Sequence, residues 1–389
     1  LDQVGEVCSL VYTDELEHQE HGAKEAEEGL RTEEEWARAR EMVIAICQQR
    51  LRMRYEMFGL PISEARVQEI PPGGSLKAFK LGVDELVYVL QGRGFASVYG
   101  EISGTKRDFE WSTRSLFLVP RNSYYQLGNM DGSNPARLLH YNYLPIAMSA
   151  IPEPDFFFNN PYKSNTVLDG TGDEFYSEAK AEIIPGEGLF AERGRQIWEG
   201  NFFPDMRSWD KLEANQTRGA GGHSVYIQFP GSEMSSHMSV FDPRLYKKAH
   251  RHGPGRVIVI PAGDGYSILW EEGKEKILVP WQEASAFVPP NRWFHQHFNV
   301  SKIPSRYLAL SPMRQARPSE TVEDQMRDQI EYVNEAPWIR ERFETELAKR
   351  GIESLMPDGA YTDRDYKWGY AEGEETGAQL FLGDKAPVA

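Results

Sequence analysis

The feature that most constrains the fold is an internal repeat with an offset of about 170 residues. The run ELVYVLQGRG (residues 85–94) is echoed by RVIVIPAGDG (residues 256–265). SLFLVPRNSYYQLGN (residues 115–129) is echoed by SAFVPPNRWFHQHFN (residues 285–299), and ARLLHYNYLP is followed in the second copy by SRYLALSP. Short apolar runs separated by Gly, Pro and Asn are typical of strands in a sandwich or barrel. The sequence therefore predicts two homologous β-domains in tandem.

Changes in composition divide the chain into five predicted segments. The two β-domains occupy residues 60–150 and 206–315, and a connector rich in aromatic residues, Pro and Asn lies within residues 151–205. An acidic stretch and a long amphipathic helix are predicted within residues 1–59, where apolar residues recur at helical spacing behind the capping box TEEE. A helical segment and a tail are predicted for residues 316–389. The apolar face of the N-terminal helix favours packing or self-association, so a homo-oligomer is predicted.

The composition argues against a nucleic-acid or membrane partner. The formal net charge is −16, whereas surfaces that bind nucleic acid or anionic membranes are basic. No apolar stretch approaches the length that spans a bilayer. Cys8 and Cys47, the only two cysteines, are too few for a disulfide framework, and neither lies in a CxxC pattern. A reducing, cytoplasmic location is therefore predicted.

The second β-domain carries two histidines one residue apart, in AHRHGPGR, just before the apolar run VIVI. Residues i and i+2 of a strand point to the same face, so His250 and His252 can turn both imidazoles toward one ion. A solvated basic turn is the alternative, because the surrounding stretch is KKAHRHGPGR. His295 and His297 follow in the later run FHQHFN and add further candidate ligands.

The spacing of these residues resembles the two sequence motifs of the cupin superfamily. The matching positions are, in chain order, His250, His252, Arg256, Gly263, Pro290, His295 and Asn299. The ending HQHFN and the missing motif glutamate are similar to the gentisate 1,2-dioxygenase group, ring-cleaving bicupins with a three-histidine Fe(II) centre. The resemblance covers roughly residues 60 to 315. It implies a mainly β fold of two tandem cupin barrels, each a double-stranded β-helix, with flanking N- and C-terminal helices.

The resemblance also implies a ligand set and a reaction. His250, His252 and His295 would hold Fe(II), and Arg256 stands where the common motif has glutamate. Three neutral ligands leave the ion its full charge and open positions for an anionic chelating substrate and O₂. A hydroxylated aromatic carboxylic acid, gentisate- or salicylate-like, is the expected substrate, and degradation of an aromatic compound the expected role.

Five residues are expected to contact or serve the substrate. Arg256 is expected to bind a carboxylate through its planar fork and His297 to relay protons, with an outward salt bridge and a packed core position as the respective alternatives. Trp293, Tyr226 and His237 are expected to line the pocket. Alternation along HSVYIQF leaves open whether the face of Tyr226 is the inner one.

The first β-domain lacks this ligand set. The repeat aligns Ala78, Lys80, Glu85 and Tyr125 with the ligand positions. Only Glu85 could bind a metal, and Lys80 is expected to pair with it, so a metal-free, structural barrel is predicted. The gentisate-type enzymes use the N-terminal cupin for catalysis, so the particular substrate does not follow from the resemblance.

Two other classes of function stay open. The same site with Mn, Ni or Zn as a Lewis acid would serve a non-oxidative lyase, isomerase or decarboxylase. Without a metal, the chain would be a non-catalytic bicupin that binds a small molecule. Consumption of O₂ separates the first two classes, and stoichiometric metal separates both from the third.

Overall fold

A computed structural model describes residues 62–369, with gaps at residues 103, 105, 164–167, 169–171, 185–194, 209–211, 215–217, 254 and 314–326. The predicted N-terminal acidic segment and helix and the predicted C-terminal tail lie outside the described residues. Within the described part of the chain, no helix has the length and apolar character needed to cross a membrane.

Eight strands form the first barrel: β1 (Glu64–Ile70), β2 (Phe79–Lys80), β3 (Glu85–Gln91), β4 (Arg93–Tyr99), β5 (Lys106–Ser112), β6 (Leu116–Val119), β7 (Tyr124–Asn129) and β8 (Ala136–Asn142). They pair as two antiparallel sheets with the orders β1-β8-β3-β6 and β2-β7-β4-β5. The connector that follows holds α1 (Leu144–Ala150), α2 (Pro154–Phe158), a 3-10 helix (Gly172–Tyr176), β9 (Lys180–Ile184), β10 (Arg195–Glu199), β11 (Phe202–Phe203) and β12 (Glu213–Ala214). Strand β11 pairs with β6 and extends the first sheet of the first barrel.

The second barrel repeats the strand order of the first. Its strands are β13 (His223–Gln228), β14 (Ser235–Phe241), β15 (Ala249–His250), β16 (Val257–Ala262), β17 (Asp264–Trp270), β18 (Ile277–Gln282), β19 (Ala286–Phe287), β20 (Phe294–Asn299) and β21 (Ser305–Ser311). The orders β14-β21-β16-β19 and β15-β20-β17-β18 match those of the first barrel strand for strand. Strands β13, β10 and β9 extend the larger sheet, and β12 pairs with β13. The predicted mainly β fold of two tandem barrels is confirmed.

A repeated Gly-x-Gly explains why the two copies share the runs QGRG and AGDG. Gly92 and Gly263 have φ angles of 99° and 106°, which glycine adopts without strain. Two residues later, a Cβ on Gly94 or Gly265 would overlap the backbone carbonyl of the neighbouring strand. Both glycines are therefore needed to turn from one sheet into the other.

One apolar cluster joins the two barrels. The outer face of the larger sheet of the second barrel shares this cluster with the first barrel through Val225, Ile227, Met238, Val257, Val259, Leu308 and Leu310. Because strand residues alternate between faces, the opposite face of the same sheet points into the second barrel. That inner face carries Tyr226, His237 and Ala309, which are neighbours in register on β13, β14 and β21.

The C-terminal segment covers the other sheet of the second barrel. It contains β22 (Gln329–Ile330), a 3-10 helix (Tyr332–Asn334), α3 (Pro337–Ala348) and α4 (Asp358–Thr362). Phe343 of α3 is fully buried and packs on Tyr246 and Phe298. Strand β22 pairs with β15, and the buried Asp328 accepts hydrogen bonds from Arg251 and Arg292. These contacts fix the strand that carries His250.

Candidate metal centre

Three histidines converge inside the second barrel. The ligand atoms of His250, His252 and His295 all lie within 4.8 Å of one another, and all three side chains are buried. His250 on β15 and His295 on β20 are directly opposite in the antiparallel pair, and His252 follows two residues after His250. His252 lies just beyond the end of β15, but its imidazole turns to the same side as those of His250 and His295, as the HRH spacing predicts. We call these three residues the histidine centre.

Backbone carbonyls orient each ring of the histidine centre. The Nδ1 atoms of His250, His252 and His295 lie 3.3, 3.0 and 3.2 Å from the carbonyl oxygens of Lys248, Gly253 and Trp293. A carbonyl oxygen only accepts, so each Nδ1 donates its proton and each Nε2 carries a free lone pair. Fixing the tautomer in this way is how proteins prepare histidine to bind a metal. The donor set fits a divalent transition metal held by three neutral imidazoles.

The surroundings keep the three imidazoles neutral. Burial, followed by the charge of Arg218, holds the pKa of His250 well below its ordinary value. Burial and the charge of Arg256 do the same for the pKa of His252. Burial, then Arg218 and Arg256, lowers the pKa of His295 to about 3. A metal ligand must be deprotonated, so the folded chain presents these rings ready to bind an ion.

These lowered pKa values predict a pH-dependent stability of the metal-free protein. Below about pH 6.5 the unfolded chain binds a proton at His295 while the folded chain does not, so the free energy of unfolding falls as the pH falls. Removing this histidine in His295→Asn should make the slope shallower, by up to about 1.4 kcal/mol per pH unit at the lower end of the range. Urea unfolding of both metal-free proteins between about pH 7 and pH 5 measures the difference. Equal slopes would contradict a neutral, buried His295.

Two arginines face the histidine centre. Arg256 directly precedes β16 and is half-buried, and its Nε is buried without a hydrogen-bond partner among the described residues. Within that part of the chain Arg256 forms no ion pair, which argues against the outward salt bridge. Arg218, which the sequence analysis did not single out, donates to Gln329 of β22 at 2.8 Å and lowers the pKa of His250 and His295. The charges next to the centre are therefore positive.

His297 lies beside the centre and faces the same side as His295. Its Nδ1 is 2.7 Å from the hydroxyl oxygen of Ser267 on β17, and that hydroxyl also accepts the indole N–H of Trp281. The His297 ring centroid is 5.6 Å from that of His295 and 4.9 Å from that of Tyr307. The side chain is thus both packed and polar, and its position next to the centre is compatible with the predicted relay.

A buried lysine and tyrosine complete the inner wall. Lys247 is fully buried, and its Nζ donates to the Ser239 hydroxyl at 2.5 Å and lies 5.1 Å from the ring centroid of Tyr307. Ser239 and Tyr307 are cross-strand neighbours on β14 and β21. The sequence analysis missed both residues of this pair. The only available signal was the alternation of SRYLALS, which places Tyr307 and Ala309 on one face.

The remaining predicted pocket residues lie at different depths in the second barrel. His237 is half-buried, with its ring centroid 6.0 Å from that of Tyr307. Tyr226 lies one strand further out, 5.9 Å from His237, and is 37% exposed. Tyr226 is on the inner face, so the face of β13 that carries Tyr226 is the one that points into the barrel. Trp293 is half-buried and contributes its backbone carbonyl to His295.

The expected pairing of Lys80 with Glu85 in the first barrel is wrong. Lys80 donates instead to Glu101 at 3.1 Å and to the carbonyl of Tyr162. Glu85 is fully buried and binds Arg66 through two hydrogen-bonding contacts of 2.6 and 2.9 Å. Arg66 reaches Glu85 because β1 and β3 both pair with β8.

A closed hydrogen-bond network therefore occupies the place that the histidine centre has in the second barrel. Besides Arg66, three side chains donate to the Glu85 carboxylate: His140 through Nδ1 at 2.6 Å, Tyr125 through its hydroxyl at 3.0 Å and Asn142 through its amide at 2.9 Å. We call these five residues the Glu85 network. Because Arg66 and three neutral donors saturate the carboxylate, Glu85 has no free lone pair directed at an ion, in keeping with the predicted metal-free barrel.

Fold and site together define a class: a protein of two tandem β-barrels whose second barrel carries a candidate three-histidine metal site. The chain matches no protein-family model and no curated protein. Among solved structures it is similar to oxalate decarboxylase from Bacillus subtilis, in a study of that enzyme's Mn(II) centres, with 11% identity, a TM-score of 0.39 and coverage of 64% of this chain and 69% of that chain. A structure of the same enzyme at pH 4.6 gives the same identity and TM-score, with coverage of 65% and 69%. At these values the likeness says nothing about substrate or reaction.

Proposed function

We propose that this chain is a metal-dependent enzyme that binds a small carboxylate-bearing substrate in its second barrel and acts on it without O₂, as a lyase, isomerase or decarboxylase. The observation that carries the proposal is the combination of three oriented neutral imidazoles with the positive charges of Arg218 and Arg256. A divalent ion in such a site keeps its full charge, and the arginines add to the attraction for an anion. Fe(II), Ni and Zn suit three imidazoles, whereas Mn(II) prefers oxygen ligands, which the substrate or water would have to supply.

The bound metal would supply Lewis acidity, which polarises a coordinated carboxylate. Arg256 would hold a second oxygen pair of the substrate through its guanidinium fork. His297, hydrogen-bonded to Ser267, would hold or move a proton beside the substrate. His237 and Trp293 would line the pocket, and Tyr226 would lie at its outer end. Buried groups that can carry protons favour a reaction in which a proton is moved rather than one in which O₂ is consumed.

Metal analysis followed by an anaerobic assay tests this function. The protein is purified without O₂, its metal content per chain is measured, and small mono- and dicarboxylates are offered with and without O₂. About one metal ion per chain and turnover without O₂ are expected, and His295→Ala should abolish both. No metal after reconstitution with Mn²⁺, Ni²⁺, Zn²⁺ or Fe²⁺ would overturn the proposal and leave a binding protein.

A ring-cleaving Fe(II) dioxygenase is the second candidate function. It is favoured by the absence of a carboxylate from the histidine centre, a feature shared with the gentisate 1,2-dioxygenase group that the sequence resembles. Hydroxylated aromatic acids, gentisate and salicylate included, are its test substrates. Stoichiometric iron, together with O₂ uptake that depends on one of these acids, would establish it in place of the non-oxidative reaction.

A further inference from the structure

Among the described residues, no carboxylate pairs with the buried Lys247. Its side chain is fully buried on the segment between β14 and β15, and among the described residues it takes part in no salt bridge. Burying an ammonium group without an opposite charge is unfavourable, so such a lysine usually serves a purpose other than stability. The backbone holds it in place: the Lys247 N–H donates to the carbonyl of His297, and the Gln296 amide donates to the Lys247 carbonyl.

The groups around Lys247 identify its partner as Tyr307. The Nζ atom lies over the Tyr307 ring and bonds Ser239, the cross-strand neighbour of Tyr307. Burial acts to raise the pKa of Tyr307, but the charge of Lys247 and the hydrogen bond from Ser239 outweigh it, so the pKa is lowered. Burial lowers the pKa of Lys247, and the negative charge of a Tyr307 phenolate would raise it again. The two groups thus stabilise each other in their charged forms.

Among the described residues, the charged and titratable groups that face Tyr307 include no acidic side chain. From the neighbouring elements these groups are Lys247, Arg218, His237 on β14 and His297 on β20. Tyr307 itself is 6% exposed and faces the inside of the barrel, with its ring 4.9 Å from that of His297. A phenolate there lies beside His297, whose ring centroid is in turn 5.6 Å from that of His295.

We propose that Tyr307 exchanges a proton directly with the substrate in the second barrel, with Lys247 and Ser239 as its positioning residues and His297 as the neighbouring group that can hold that proton. The inference rests on the proposed function. In the step, the phenolate oxygen of Tyr307 accepts a proton from the bound substrate and becomes a phenol. The electron pair of the broken bond stays on the substrate, and the phenol returns the proton when the product forms. No oxidant or reductant is needed.

Difference titration of tyrosinate absorbance tests the proposal without a known substrate. The full-length protein and Tyr307→Phe are titrated with base, both metal-free and loaded with Mn²⁺, and the difference reports Tyr307 alone. We expect it to ionise below the ordinary range of tyrosine. In the Lys247→Met background, the pKa of Tyr307 obtained from this difference should rise. In the Ser239→Ala background, which keeps the lysine charge, it should rise less. A pKa of Tyr307 at or above the ordinary range of tyrosine in the wild-type background would overturn the proposal.

Tyr266→Phe is the matched control. Tyr266 is a buried tyrosine of the same barrel, but it stacks on Phe298 on the outer side of the sheet, and burial raises its pKa. Its hydroxyl has no hydrogen-bond partner among the described residues, so its loss should leave activity unchanged. With a carboxylate that the wild type turns over, Tyr307→Phe should lower kcat by about 100-fold or more with little change in KM. An unchanged kcat would overturn the assignment.

Failure of the proposed function would look different. In that case the wild-type protein lacks stoichiometric metal or turns over no carboxylate, whatever the titration of Tyr307 shows. An active, metal-loaded wild type whose Tyr307→Phe variant is equally active refutes the role of Tyr307 alone.

Discussion

Substituting His295 by alanine is expected to lower the affinity for a divalent metal by more than about 100-fold, while both barrels stay folded. His295 lies between the other two rings of the histidine centre, with its centroid 4.3 Å from that of His250 and 4.7 Å from that of His252. Two imidazoles from one strand segment cannot enclose an ion, and the lost ring is small enough for the barrel to remain packed. Metal per chain, measured after reconstitution with Mn²⁺ or Fe²⁺ and dialysis, should fall from about one to near zero.

His237→Ala provides the control for this measurement. His237 faces the same interior but stands next to Tyr307, outside the histidine centre, so the variant should retain its metal. Circular dichroism of His295→Ala confirms that the fold is kept. A His295→Ala protein that still carries one metal ion per chain would show that the ligands lie elsewhere.

The sequence repeat predicted the barrels because it reports two local requirements of the fold. The first is period-two alternation, which appears in runs such as SRYLALS. The second is the glycine pair in QGRG and AGDG, one member for a positive φ angle and the other for close contact with a neighbouring strand. Both requirements act within a few residues, so they can be read without knowing which strands pair.

The positions of His250, His252 and His295 followed from the same local logic, together with family spacing. Lys247 and Tyr307 did not, because their meeting depends on the pairing of β14 with β21 and on a lysine outside any strand. Nothing in KKAH distinguishes the buried Lys247 from the exposed lysines of the chain. Arg218 was missed for the same reason: it meets the centre only through the fold.

In the first barrel, the repeat led to a wrong prediction of a side-chain pair. The repeat identified Glu85 as equivalent to Arg256 but assigned it Lys80, a residue at another former ligand position. The actual partner, Arg66, comes from β1, and its contact depends on both β1 and β3 pairing with β8. Alignment of the two copies shows which positions of the first barrel lack the histidine ligands of the second. It does not show which side chains from other strands have filled the space.

The Glu85 network predicts the second large effect, on stability. Glu85→Leu should lower the free energy of unfolding by about 3–5 kcal/mol, because it leaves the partly buried Arg66 with Glu64 as its one remaining carboxylate partner among the described residues and leaves three buried donors without their acceptor. Burial alone would raise the pKa of Glu85, but Arg66 and then His140 hold it well below the ordinary value. The folded-state pKa is depressed, so the contribution of Glu85 is present above the ordinary glutamate pKa and is lost as the pH falls below it. Urea unfolding near neutral pH therefore measures the full effect.

The double variant Arg66→Met/Glu85→Leu distinguishes loss of a charge partner from loss of packing. Replacing both ions removes the Arg66 charge, but it also takes Arg66 away from the buried Glu64 and Glu85 away from its three neutral donors, so only part of the stability should return. The metal content of the folded double variant should equal that of the wild type, since the histidine centre belongs to the other barrel. A single variant within about 1 kcal/mol of the wild type would show that water or a rearranged Arg66 replaces the carboxylate. A double variant as unstable as the single one would mean that the first barrel depends on the hydrogen bonds from His140, Tyr125 and Asn142 to Glu85 rather than on charge neutralisation.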